Sequence, residues 1–242
     1  MNQPPLPPFF DFLRSQIAGR WQEEARSDWA YVVFYRPFAA VLAWGLAHTS
    51  MAPLTVTLAG GLSIPVMLAI AILVPPESAV PLIGVVAWIG GLLDCTDGDL
   101  ARLAGRASWL GRYVDFQVDT VRWAALYVAV GIAADRAGSG AGSWFAVAAV
   151  AAWARLFARA ARDYRVGTFG RDPPSTTPPG PVSASRLIGR FFVGLDGLLP
   201  IVFAGGWMVG LGGWVLLMPL SLSIADVVVT QVSNLRRYAD LT

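Results

Sequence analysis

The chain has 242 residues, of which 55% are hydrophobic and only 14% are charged, whereas about one-quarter of the residues in a soluble domain carry a charge. All 18 basic residues are arginines, which excludes lysine chemistry such as a Schiff base or a Walker-type phosphate loop. The single cysteine and single histidine exclude a disulfide framework and a zinc site built on Cys and His ligands. The composition therefore indicates an all-α, polytopic membrane protein.

Six apolar segments approach or exceed the ~20 residues that a helix needs to cross a bilayer. A further apolar stretch at residues 31–47 contains Arg36 followed by Pro37, and hydropathy alone does not decide whether it crosses. The arginines decide, because positive charge accumulates on the cytoplasmic side of membrane proteins. With six spans and both termini cytoplasmic, the outer loops contain a single arginine, Arg136. The predicted spans are residues 54–74, 79–93, 109–134, 144–157, 187–209 and 211–232.

This topology divides the chain into two parts. Residues 1–48 are predicted to be an N-terminal cytoplasmic segment, whose residues 9–47 form amphipathic juxtamembrane helices at the membrane surface. Residues 49–242 are predicted to be a six-helix transmembrane catalytic domain. Residues 170–185 are rich in Pro, Ser and Thr, and they are predicted to be a cytoplasmic linker that either covers the site or merely connects spans 4 and 5.

Four aspartates occupy the junction of the second and third predicted spans. Asp94 and Asp97 are three residues apart and Asp115 and Asp119 are four apart, so each pair shares one face of a helix. An acidic side chain within a membrane helix costs about 2.5–3.5 kcal/mol, so four of them in one pocket need positive charge among them. Nearby arginines supply that charge in one interpretation, and divalent cations supply it in the other. Oxygen ligands without thiol or imidazole select Mg²⁺, Mn²⁺ or Ca²⁺, and two such ions form a clamp for displacement at phosphorus.

Small residues accompany these acids. Gly98 directly follows Asp97, Ala101 lies one turn farther along, and Gly111 lies one turn before Asp115. Their missing side chains leave room for a bulky ligand such as a nucleotide against the backbone. The alternative interpretation is close packing of helices, for which Gly and Ala are enriched in membranes.

The acids, the small residues and Arg102 together form a pattern with fixed spacing. This pattern resembles the signature of the CDP-alcohol phosphatidyltransferases, also called CDP-alcohol phosphotransferases. Members of that family often open their first span with Pro-Asn-x-x-Thr, and here Thr55 is retained whereas the Pro-Asn pair is absent. The resemblance is carried by Asp94-x2-Asp97-Gly98-x2-Ala101-Arg102-x8-Gly111-x3-Asp115-x3-Asp119.

The resemblance implies a transferase of phospholipid synthesis that moves a phosphatidyl or phospho-alcohol group from a CDP-activated donor to an alcohol and releases CMP. It implies two Mg²⁺ or Mn²⁺ ions held by the four aspartates, with Asp119 also acting as the general base. It further implies a homodimer with a cytoplasmic active site, which we expect in a bacterial or archaeal inner membrane among membrane lipids and without a nucleic-acid partner. The donor is either CDP-diacylglycerol or a soluble CDP-alcohol. The implied nucleotide-binding residues are Gly98, Ala101, Arg102, Gly111 and Thr55.

Asp99 is extra to this signature. It directly follows Gly98 and lies three residues before Arg102. We expect a solvated side chain that pairs with Arg102 or Arg106.

A stripe of arginines predicts the acceptor. Arg155, Arg159 and Arg162 fall at i, i+4 and i+7 on the cytoplasmic end of the fourth predicted span, and Arg186 and Arg190 open the fifth. They predict a pocket for an anionic acceptor such as glycerol 3-phosphate or inositol phosphate, whereas plain anchoring of the helix at the membrane surface is the alternative. Amino alcohols such as serine or choline are the alternative acceptors.

Two competing functions use similar residues. A cation-coupled transporter would explain buried aspartates but not the Gly, Ala and Arg residues at fixed offsets. Aspartate-rich membrane prenyltransferases carry acids at i, i+4 and i+8, which fits Asp94 and Asp97 poorly. Asp196 and Asp226 in the last two predicted spans either serve a function or pair with arginines of neighbouring helices.

Overall fold

The computed structural model describes residues 6–25, 28–138, 143–169 and 194–239. These residues form helices joined by short connections, and they contain no β-strand. The N-terminal helices are α1 (Phe9–Gln16), which continues through a π-helical turn (Ile17–Trp21), α2 (Gln22–Glu24), α3 (Trp29–Phe34) and α4 (Arg36–Ala47). The remaining helices are α5 (Pro53–Gly61), α6 (Ser63–Leu73), α7 (Pro76–Leu103), α8 (Trp109–Arg136), α9 (Trp144–Phe169), α10 (Leu199–Met208) and α11 (Leu217–Ala239).

Four helical segments of the described chain are long and apolar enough to cross a membrane. They correspond to four of the predicted spans, and they support the prediction of an all-α integral membrane protein. The N-terminal Arg36–Ala47 and the later Leu195–Met208 are shorter apolar helices. The four segments are Pro53–Leu73, Pro76–Leu103, Trp144–Gly167 and Gly212–Arg236.

The other two predicted spans differ from this set. Residues 109–134 do form a helix, α8, but it carries charged side chains in its first half and at its end, and it does not reach the same apolarity. The span predicted at residues 187–209 is described only from Gly194 onward. The linker predicted at residues 170–185 lies outside the described residues. Six spans and two cytoplasmic termini therefore remain predictions.

The helix α7 is ten residues longer at its C-terminal end than the predicted span, so Asp94 and Asp97 lie inside it rather than beyond it. It ends where Gly105 adopts a left-handed conformation with φ of +62°. The amide of Arg106 donates to the Ala101 carbonyl at 2.8 Å and that of Gly105 to the Arg102 carbonyl at 3.2 Å, which is the Schellman arrangement.

The next helix begins almost at once. Ser108 caps α8 by accepting a hydrogen bond from the Gly111 amide at 3.0 Å, as N-cap serines do. Only residues 104–108 separate α7 from α8. This short connection places the C-terminal end of α7 beside the N-terminal end of α8, where the aspartates lie.

α7 is the central helix of the described chain, and it contacts α4, α5, α6, α8 and α10. α9 packs against both α8 and α11. The core is rich in alanine: Ala79 and Ala87 of α7, Ala129 and Ala133 of α8, and Ala148 of α9 are buried. Small side chains let these helices approach closely, which is how helices associate in membranes.

The N-terminal helices pack onto α7 through Tyr35. Its side chain is 1% exposed, and a Cβ on Gly91 would lie 2.7 Å from its ring, so only glycine allows this approach. The Tyr35 hydroxyl donates to the Gly197 carbonyl at 2.9 Å. Burial raises the pKa of this hydroxyl, which keeps it protonated as a donor. The N-terminal segment is thus attached to the core, and whether it also lies at the membrane surface stays a prediction.

Candidate active site

The structure brings the four signature aspartates together on two neighbouring helices. Asp94 and Asp97 lie on α7, and Asp115 and Asp119 lie on α8. Asp97 is 4% exposed, and the side chains of Asp94 and Asp119 are about one-quarter exposed. Carboxylates this close in the fold repel one another unless positive charge lies among them.

Two arginines supply positive charge to this cluster. The buried Arg122 guanidinium contacts Asp119 at 2.8 Å and Asp94 at 3.4 Å, and it also donates to the Gly90 carbonyl at 2.5 Å. Arg159 of α9 donates to the other oxygen of Asp119 at 2.7 Å. Neutralisation by arginine, one of the two interpretations of the sequence, is therefore present at Asp94 and Asp119.

Thr57 of α5 supports Asp97. Its hydroxyl is buried and donates a hydrogen bond to the Asp97 carboxylate. Thr55, the threonine of the predicted nucleotide site, is two residues away on the exposed side of α5. The helix places Thr57, not Thr55, beside the acids, and Thr57 also lies four residues after Pro53, which is the spacing of the Pro-Asn-x-x-Thr motif.

A first cavity of about 330 Å³ lies between α5, the end of α7 and the start of α8. Asp97 and Asp115 line it, whereas Asp94 and Asp119 do not. Thr57 and the α8 cap Ser108 line it as well. Four of the predicted nucleotide-binding residues also line it: Gly98, Ala101, Arg102 and Gly111.

A second cavity of about 280 Å³ adjoins the other two aspartates, Asp94 and Asp119. Trp123 and Arg155 form part of its wall, with Tyr31 and Arg36 of the N-terminal segment. The aspartate cluster therefore separates two cavities. One is lined by small residues of the signature, and the other is lined by aromatic and charged side chains.

The arginines of the α9 stripe are each paired with an aspartate. Arg155 contacts Asp196 at 2.6 Å, and Arg162 contacts Asp226 at 2.5 Å. Arg155 and Arg159 thus face the second cavity and the cluster, whereas Arg162 binds the last helix. Asp196 and Asp226 adopt the pairing with neighbouring arginines that was one of their two interpretations. Arg186 and Arg190 lie outside the described residues.

The environment of Asp99 differs from the prediction in one respect. Its side chain is fully buried, not solvated, because α4 packs against α7 and side chains of the N-terminal segment cover it. It does pair with Arg102 as expected, and it also contacts Arg20 and Arg36, which lie far away in the sequence. The expected alternative partner Arg106 instead lines the first cavity.

The four aspartates of the cluster offer carboxylate oxygens, which are the donors that suit magnesium or manganese. Within the described ranges, however, no group of three or more His, Cys, Asp or Glu side chains is arranged as a metal centre. The chemical type of these side chains therefore suits such ions. In this structure, however, Asp94 and Asp119 are oriented toward arginines.

Comparison with known protein families identifies one that covers the site. The family model described as CDP-alcohol phosphatidyltransferase matches residues 50–177, more than half of the chain. The comparison with curated proteins found no match. The matched range contains the four aspartates, the four signature residues of the first cavity and the arginine stripe of α9.

Proposed function

The chain belongs to the CDP-alcohol phosphatidyltransferase family, and we propose that it transfers a substituted phosphate group from a CDP-activated donor to an alcohol, releasing CMP. Membership makes it a transferase, and its four apolar helical segments make it an integral membrane protein. The observation that carries the proposal is the position of the aspartate cluster between two cavities. A transferase needs two such sites meeting at one reactive centre.

The first cavity suits the CMP part of the donor. Gly98, Ala101 and Gly111 leave room for the nucleotide against the helix backbones. Arg102 reaches the diphosphate, since a guanidinium offers a planar fork of donors that matches phosphate oxygens. Thr57 takes the place of the predicted contact Thr55, and it acts by orienting Asp97.

Asp94, Asp97, Asp115 and Asp119 would hold two Mg²⁺ or Mn²⁺ ions. When bound, these ions supply charge stabilisation of the diphosphate and of the attacking and leaving oxygens. Arginines that now contact Asp94 and Asp119 would then turn toward substrate oxygens. Arg122 and Arg159 are placed for that exchange because each already lies at the boundary of the cluster.

The reaction follows from these positions. Asp119 accepts the proton of the acceptor hydroxyl through a carboxylate oxygen, in a general-base role. The acceptor oxygen then bonds to the β-phosphorus of the donor. The bond from that phosphorus to the bridging oxygen breaks, and the electron pair leaves with CMP. The second cavity holds the acceptor beside Asp119.

We propose a polyol phosphate such as glycerol 3-phosphate or inositol phosphate as the acceptor, because Arg155 and Arg159 lie near the second cavity and Asp119. An amino alcohol such as serine or choline is the alternative, since each of these arginines already has a carboxylate partner. Arg186 and Arg190 remain proposed acceptor contacts. Six spans, a cytoplasmic active site and a homodimer in a bacterial or archaeal inner membrane complete the proposal.

The test is metal-dependent release of CMP by the purified full-length protein. The donors are CDP-diacylglycerol and soluble CDP-alcohols, and the acceptors are glycerol 3-phosphate, inositol phosphate, serine and choline. We expect CMP with Mg²⁺ or Mn²⁺ and none from Asp119→Asn, whereas Asp11→Asn, which changes an exposed carboxylate, keeps full activity. No CMP from any pair would reject the transferase and favour the cation-coupled transporter. Release only with serine or choline would reject the polyol phosphate alone.

A further inference from the structure

Asp99 is a buried carboxylate among three guanidinium groups. Its side chain is 0% exposed, and it contacts Arg20 and Arg36 at 3.3 Å each. It also accepts a hydrogen bond from Arg102, three residues ahead on the same helix. A buried carboxylate is stable only with such partners, so these contacts fix the orientation of Asp99.

Arg102 connects this carboxylate to the first cavity. Its side chain is 45% exposed and lines the cavity. A Cβ on Gly98 would lie 3.3 Å from both of its terminal nitrogens, so the edge of the guanidinium that carries these nitrogens faces Gly98. An arginine side chain has high rotamer freedom, and Asp99 restricts it to this one position at the cavity edge.

The N-terminal segment completes the arrangement. Glu24 accepts two hydrogen bonds from Arg36, both at 2.6 Å, and it is also paired with Arg20. Arg36 in turn donates to the Cys95 carbonyl of α7 at 3.4 Å. The two arginines that hold Asp99 are therefore themselves held by a carboxylate of α2.

We propose that Asp99 is a positioning residue for nucleotide recognition, acting through Arg102. Arg20 and Arg36 hold Asp99, which makes the N-terminal segment part of the donor site although none of it lies in the signature. The inference rests on the proposed function, because it assigns Arg102 to the phosphate that CMP shares with the donor. It adds that the position of Arg102 depends on Arg20, which lies 79 positions before Asp99 in the sequence.

The test is a double-mutant cycle measured as the affinity of the full-length protein for CMP in the presence of Mg²⁺. CMP is the released nucleotide, so no acceptor has to be known. We expect Asp99→Asn to weaken CMP binding by about tenfold, the scale seen when a partner that orients a binding residue is removed. Asp99→Asn added to Arg102→Ala should change the affinity by less than about twofold, because coupled residues are not additive.

Several outcomes separate positioning from a merely structural role. Additive losses, or an unchanged affinity in Asp99→Asn, would overturn the inference while leaving the proposed function intact. If the unsubstituted protein does not bind CMP with Mg²⁺, the proposed function fails instead. Asp11→Asn in the same N-terminal segment is the control, and its affinity should be unchanged.

A second cycle applies if Asp99→Asn does not fold, as judged by gel filtration. It pairs Arg20→Gln with Arg102→Ala, since Arg20 is one-third exposed and its loss loosens Asp99 from one side. We expect about threefold weaker CMP binding from Arg20→Gln alone, less than for Asp99→Asn because other partners remain. No effect there, or a loss that adds to that of Arg102→Ala, would overturn the inference.

Discussion

The Thr57 hydroxyl donates a hydrogen bond to the Asp97 carboxylate across the interface of α5 and α7. Both residues are buried, and both line the first cavity. Because this hydrogen bond holds one carboxylate oxygen of Asp97, it also fixes the direction in which the other oxygen points. Supporting hydrogen bonds of this kind orient the ligands of metal sites.

Loss of the Thr57 hydroxyl should therefore weaken metal binding. In Thr57→Val we expect the concentration of Mg²⁺ that gives half-maximal CMP release to rise about tenfold, because Asp97 loses its fixed orientation. The control is Thr55→Val, the same change on the exposed side of α5, which should leave this concentration unaltered. A larger effect from Thr55→Val would restore the sequence-predicted contact.

Arg159 should affect the acceptor more than the nucleotide. It contacts Asp119 at 2.7 Å and lies on α9, away from the residues that line the first cavity. In Arg159→Gln we expect kcat/KM for the acceptor to fall about 10- to 100-fold, as for a lost hydrogen bond to a charged group. CMP affinity should stay within about twofold. A matched change at the exposed Arg14 should alter neither quantity, and a loss confined to CMP affinity would contradict the assignment of the two cavities.

Filling the first cavity should exclude the nucleotide. Ala101 lines this cavity, and a leucine there projects three additional carbons into it. We expect Ala101→Leu to weaken CMP binding by about tenfold or more, on the scale of overpacking costs. Ala146→Leu, at an exposed helical position, is the control. If Ala101→Leu binds CMP as tightly as the unsubstituted protein, the nucleotide lies elsewhere.

Removal of divalent cations should abolish activity without unfolding the protein. Arg122 and Arg159 already neutralise Asp94 and Asp119, so the helices do not need the ions to stay packed. With a chelator we expect CMP release to fall below detection while helix content by circular dichroism is unchanged. Excess Mg²⁺ or Mn²⁺ should restore the rate. Continued CMP release after chelation would contradict the proposed role of the ions.

Much of the site could be predicted because its residues are close together in the sequence. The spacing of the four aspartates predicts that each pair shares one face of a helix. The described structure confirms that one pair lies on α7 and the other on α8. The same pattern identified Gly98, Ala101 and Gly111, which line one cavity. Helical periodicity suffices for residues this close, since it determines which side chains share a face.

Contacts between distant segments could not be predicted in this way. The threonine beside the acids is an exception, because Pro53 and Thr57 keep the spacing of Pro-Asn-x-x-Thr, so the motif itself pointed to Thr57 rather than Thr55. The burial of Asp99 depends on Arg20 and Arg36, which reach it only after the N-terminal helices pack onto α7. The span predicted at residues 109–134 is likewise not among the four apolar segments, because the charged residues that build the site lower the apolarity of α8.

The most direct test of the account is a crystal structure of the full-length protein soaked with Mn²⁺ and CMP, with anomalous scattering recorded from the manganese. We expect two anomalous peaks about 3.5–4 Å apart, in contact with Asp94, Asp97, Asp115 and Asp119, with CMP in the first cavity. The account would be contradicted if CMP bound without any manganese within reach of these carboxylates, or if Asp94 and Asp119 kept their arginine contacts and no peak lay between the two helices.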